Sequence, residues 1–205
     1  MKHLTLISAT ALAAALALTG CATETGTDTT TTTATPSMDH GTMSASPSAQ
    51  TPAAADHNSA DAMFAQMMIP HHEQAVEMSE VMLAKDGIDP AVTALAEDIK
   101  AAQGPEIKTM TDWLSAWGEP ATMSGDHGME GMMTEDDMAS LEAAQGTEAA
   151  RLFLTQMIKH HEGAVTMAEE EAANGSNPDA VAQAEKMAQD QGGEIETMKE
   201  MLAGL

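Results

Sequence analysis

Tyrosine is absent from this 205-residue sequence and aromatic residues make up 2% of it, so side chains on which bases or sugar rings could stack are scarce. Basic residues are few as well. Eight Lys and Arg stand against 32 Asp and Glu, a formal net charge of −24. A surface of that sign repels phosphate backbones and argues against nucleic acid as a partner. Cysteine occurs once, at Cys21, which excludes an internal disulfide framework and thiolate-rich metal sites. Any bound metal must rest on Met, His and carboxylates. The length suits one domain plus appendages.

The lone Cys is informative through its position. Lys2 and His3 make a short basic start, Leu4 to Leu18 an apolar run, and Leu18-Thr19-Gly20-Cys21 follows. The run is short for a membrane span and reads as the core of a signal peptide. The last four residues resemble a bacterial lipobox, whose Cys is acylated and becomes the mature N-terminus. Residues 1–20 are therefore read as a lipoprotein signal peptide and Cys21 as its lipidation site. That places the protein outside the cytoplasm, lipid-anchored at the outer face of the cell membrane or in the periplasm. Residues 21–58 are rich in Thr, Ser, Ala and Pro and are expected to form a disordered tether. One island interrupts it, Met38-Asp39-His40-Gly41-Thr42-Met43.

An internal repeat organises the remainder. The string from Phe64 to Met78 is matched by that from Phe153 to Met167, both containing His-His-Glu. Gln103-Gly104-Pro105-Glu106-Ile107 is matched by Gln191-Gly192-Gly193-Glu194-Ile195. Punctuation marks helices: from about Ser59 to Lys85, from an Asp89-Pro90 start to a Gly118 stop, from about Thr147 to Ala173, and from an Asn177-Pro178 start to Ala203. A short extra helix is expected between Thr134 and Ala144. Two repeated hairpins predict an all-α four-helix bundle over 59–205, with halves 59–118 and 147–205 and a linker 119–146.

Helical periodicity places Phe64, Met68, His71, Ala75, Met78 and Met82 on one arc, with His72 at its edge and Glu73 outside. The second copy puts Phe153, Met157, His160, Ala164 and Met167 inward, His161 at the edge and Glu162 outside. Glu106 and Glu194 fall on otherwise apolar faces. A carboxylate there is costly unless paired or bound to a cation, and the inward His residues of the neighbouring helix are its natural partners. Such pairs can simply fix packing. Their convergence in duplicate, with Met nearby, points instead to a metal site.

Methionine is the compositional outlier, with 19 residues. Much of it can be flexible core filler. That explanation fails for the polar, Gly-rich segments holding Met38, His40 and Met43, and Met123, His127, Met129, Met132 and Met133. Thioether and imidazole together suit copper: sulfur selects Cu(I), and imidazole accepts either oxidation state.

The doubled Met-Ile-x-His-His-Glu-x-Ala-Val-x-Met and Gln-x-x-Glu-Ile-x-x-Met strings resemble the domain-of-unknown-function family numbered three hundred and five, over roughly Ala60 to Leu205. The resemblance implies a ferritin-like bundle, export and, for some members, copper binding. On matching positions it implies Met68, His71, His72, Met78, Met157, His160, His161 and Met167 as ligands. Pro70, where the other copy has Lys159, is expected to kink its helix and make the two sites unequal. No Glu has a His three residues later, which disfavours a di-iron oxidase. The expectation is a copper-sequestering lipoprotein with no catalytic role, preferring Cu(I) and accepting Cu(II). A ferritin-like oxidase and a metal-free structural lipoprotein are the rivals.

Overall fold

The structure, a computed structural model, describes residues 57–123 and 129–205. The leader, Cys21, the tether with Met38, His40 and Met43, and His127 lie outside the described residues. Five helices follow in chain order: α1 Ser59–Leu83, α2 Pro90–Trp117, α3 Glu135–Ala143, α4 Gly146–Asn174 and α5 Pro178–Gly204. No strand occurs among the described residues.

The punctuation explains the boundaries. Asn58, Asp89, Thr134 and Asn177 each accept backbone N–H bonds at a helix start, satisfying donors with no partner inside the helix. Pro90 and Pro178 occupy first-turn positions, where the missing N–H costs nothing. α2 ends at Gly118 with φ of 74°, a left-handed conformation that glycine adopts without strain. α1 nevertheless continues through Pro70 as one element, and α2 through Pro105.

α1 packs on α2 and α4 on α5, giving the two hairpins, and α1 packs on α4 to join them. One apolar cluster holds Met78, Met82, Ile99, Phe153, Leu154 and Met157, and a second holds Phe64, Met68, Met110, Leu114, Met167 and Met187. Full burial of each such side chain contributes about 1.5–3 kcal/mol, which makes these clusters the main source of cohesion.

The short helix α3 seals one end of the α1–α4 seam. Leu141 is fully buried there. Gln156 Nε2 donates to the Asp137 carbonyl at 3.0 Å, and Lys85 Nζ to the carbonyls of Glu142 and Ala144 at 2.8 and 2.9 Å.

Candidate metal centre

At mid-length of the α1–α4 seam the two His pairs meet. His71, His72, His160 and His161 all have 0% exposure, so the two residues expected at the edge of the arc are as buried as the inward ones. The rings of His71 and His160 stand 3.7 Å apart between centroids, tilted by 42°. Burial, reinforced by the neighbouring imidazoles, pushes His71 down to about 3 and holds His160 far below its ordinary value. These groups are neutral at physiological pH, the form in which imidazole can ligate a metal.

The carboxylates bind the other two rings. Glu106 Oε2 lies 2.9 Å from His72 Nε2, and Glu194 Oε2 lies 2.7 Å from His161 Nε2. The helical arcs pointed both Glu residues at the inward His71 and His160. They instead take His72 and His161, because the arc edge of α1 and α4 is the side turned to each hairpin's second helix. A carboxylate only accepts, so Nε2 is the donor in both rings. His71 is set the same way, its Nε2 donating to the Glu130 carbonyl at 3.2 Å. Nδ1 of all four His residues, and Nε2 of His160, are buried without a hydrogen-bond partner. A buried polar atom in that state costs about 1–3 kcal/mol.

Residues 129–133 form a strap across this centre, a feature that periodicity does not reveal. Gln74 clips it from α1: its Nε2 donates to the Met133 carbonyl at 3.0 Å, and its Oε1 accepts from the Met133 N–H at 2.7 Å. On α4, position for position, the counterpart of Gln74 is Gly163. A Cβ there would collide with the Glu130 backbone. Gly131 has φ of 87°, and a Cβ on it would come within 3.0 Å of the His160 carbonyl. The strap thus depends on one glycine for its turn and another for its close approach.

The other candidates separate into groups. Met129 and Met132 are half-buried on the strap, as is Met123 before it, whereas Met133 is buried in the core. Met68, Met78 and Met157 are fully enclosed in the apolar clusters. Glu73 and Glu162 are exposed. Opposite the strap, α2 and α5 flank a cleft of about 430 Å³ lined by Gln103, Glu106, Asp190, Gln191 and Glu194. Among the described residues, no three His or carboxylate side chains are gathered into a ready-made metal cage. The donor set on hand is four buried imidazoles with half-buried thioethers on the strap. It fits a soft ion served by imidazole and thioether.

A second buried polar pair, also unread by periodicity, lies where α1 begins. Asp61 is fully buried and accepts from the N–H groups of Asn58, Ser176 and Asn177. Burial works against its charge, yet these donors hold it below its ordinary value. Glu171, 2% exposed, is pushed up to about 8 by burial and by Asp61. Burial and the neighbouring negative charge both disfavour a second ionised carboxyl, so Glu171 keeps its proton beside ionised Asp61. The signal available in the sequence was a lone Asp at the third position of a helix, which reads as ordinary capping.

A duplicated helical bundle with imidazoles held by carboxylates at its centre defines the class. The model of the domain-of-unknown-function family DUF305 matches residues 61–202, and the chain belongs to that family. Among solved structures it is similar to a DUF305 protein from Streptomyces coelicolor, named as secreted, with 35% identity and a TM-score of 0.68 over 71% of this chain and 91% of that one. A DUF305 fragment from Deinococcus radiodurans shares 32% identity, with a TM-score of 0.67 over 72% and 98%. CopM, solved in Cu(I)-bound, Cu(II)-bound and silver-bound forms, is similar too. Its Cu(II) form shows 34% identity and a TM-score of 0.60 over 70% of this chain and 96% of CopM. Among curated proteins, none matches this chain.

Proposed function

We propose that this protein sequesters or buffers copper outside the cytoplasm, tethered through an acylated Cys21, and has no catalytic role. One observation carries the reading: four buried imidazoles present unpartnered Nδ1 atoms, and in three of them a carboxylate or a carbonyl fixes the other nitrogen as the donor. An imidazole held this way from behind is oriented and made more basic for a metal in front. The residues that would hold the ion are His71, His72, His160 and His161, with Met129 and Met132 of the strap as candidate sulfur donors. Glu106 and Glu194 act through the His rings they hold. CopM's copper and silver forms support copper as the ion, Cu(I) first and Cu(II) second. The acid-lined cleft between α2 and α5 gives a cation a route inward that attracts its charge. The Met38–Met43 and Met123–Met132 segments would capture ions for it, whereas Met133, expected to join them, is taken up by the core.

The test is an anaerobic competition titration of Cu(I) against Zn(II), with metal analysis of the protein as isolated. Cu(I) should bind more tightly. Zinc binding of equal strength would overturn the choice of ion, and unchanged stability in copper would favour a purely structural role for the His–Glu pairs.

A further inference from the structure

The duplication leaves one end of the bundle uncovered. Where α3 seals the α1–α4 seam, the second hairpin contributes Leu152 and Gln156 and the first contributes Met78, Met82 and Lys85. The corresponding positions at the opposite end are Met63, Met67, Met167, Glu171 and Asn174. No described element covers them. They line an open groove of about 250 Å³, shared with Phe64. Its composition is not that of a spare apolar seat. Two of the positions occupied by Leu and Gln at the sealed end carry thioethers here. Met63, at 47%, is the one large apolar side chain exposed among the described residues. Met63 and Met67 stand one helical turn apart on α1, on the same side, and Met167 comes from α4. Glu171 lines the same groove, 2% exposed, and its carboxyl oxygens meet no protein hydrogen-bond donor.

We propose that this groove is a second metal site, taking a soft monovalent cation such as Cu(I) or Ag(I) through the thioethers of Met63, Met67 and Met167 beside the Glu171 carboxyl. Thioethers select soft ions over Zn(II) or Mg(II), and the buried Glu171 carboxyl adds an oxygen on the wall. The proposal rests on the soft-metal reading above and adds a site outside the histidine centre. It also explains why Met63 stands in solvent, where an aliphatic residue packed under a covering helix is the arrangement at the sealed end.

The test uses the full chain with ¹³C-labelled methionine methyl groups, with Ag(I) as a redox-inert probe. Methyl signals of Met63, Met67 and Met167 should shift on addition of silver, alongside the imidazole signals of the centre. The Met63→Leu, Met67→Gln double variant installs the residues of the sealed end. It should bind one fewer silver ion per chain while the imidazole response persists. Groove methyls that stay unmoved while the imidazoles respond would overturn this site and leave the histidine centre standing. Silence from both would overturn both readings. A variant that still binds the full number of ions would also overturn the groove.

Discussion

The two hairpins descend from one pattern, and the places where they agree differ in kind from those where they do not. At the centre they agree closely: His72 to Glu106 at 2.9 Å and His161 to Glu194 at 2.7 Å are the same bond made twice. Away from it they diverge. Gln74 faces Gly163, Pro70 replaces Lys159, Asp61 stands where the second copy has Ala150, and α3 has no described counterpart. Buried polar groups are expensive to alter singly, because losing one partner strands the other. The surrounding surface was free to specialise. One copy of the seam end became a sealed core, and the other a groove with three thioethers and a buried acid pair.

The comparison can be broken most severely at the centre. Replacing His71 and His160 together with Ala should lower Cu(I) affinity by more than about 100-fold, beyond the range expected for supporting residues, as read by competition titration. Replacing Glu106 or Glu194 with Gln should each cost about 10- to 100-fold. The two losses should be similar, because the bonds are equivalent. Markedly unequal losses would show that one copy alone holds the ion.

The strap is where the copies should respond differently. Gly163→Ala forces the Glu130 backbone away and should destabilise the fold by about 1–3 kcal/mol in denaturant unfolding. Gln74→Ala removes two hydrogen bonds and should cost about 1–2 kcal/mol. Gly163→Ala should also release His71 from the Glu130 carbonyl, so its imidazole signals should change along with stability.

Smaller effects follow from protonation of the metal-free protein. Unfolded His takes up a proton near 6.5, whereas folded His71 resists to about 3. The unfolded state therefore binds more protons in that window, and stability falls as pH drops from 6.5 toward 3. Glu171 acts at the other limb. Folded, it keeps its proton to about 8, against 4.5 when unfolded, so stability falls as pH rises across that interval. Glu171→Gln should flatten the upper limb and leave the lower one unchanged, as measured by thermal unfolding against pH. Glu73→Gln and Glu162→Gln, both on the exposed face, should change neither stability nor copper binding appreciably.

Much of this was legible in the residues. Gly, Pro, Asn and Asp marked the helix ends because their backbone and side-chain chemistry acts locally. The repeat declared two hairpins. The 3.6-residue period brought His71 and His160 inward and left Glu73 and Glu162 outside. What stayed hidden depends on contacts between distant segments. Which His each Glu would take was decided by how α2 and α5 sit against the arc edge. The Gln74 clip on Met133 joins residues from opposite sides of a loop. Asp61 meets Glu171 only because the α4–α5 turn crosses the start of α1. The glycines at 131 and 163 show their purpose only when the strap is in place.

The central claim is that Glu106, Glu194 and the Glu130 carbonyl fix three imidazoles with Nε2 protonated and Nδ1 free for a metal. ¹⁵N NMR of labelled histidine reads the tautomer directly, before and after anaerobic addition of Cu(I). The account predicts the Nε2–H form for His71, His72 and His161 in the metal-free protein, with Nδ1 signals that move on copper addition while the Nε2 protons remain. Nδ1–H tautomers, or Nδ1 signals unchanged by copper, would contradict it.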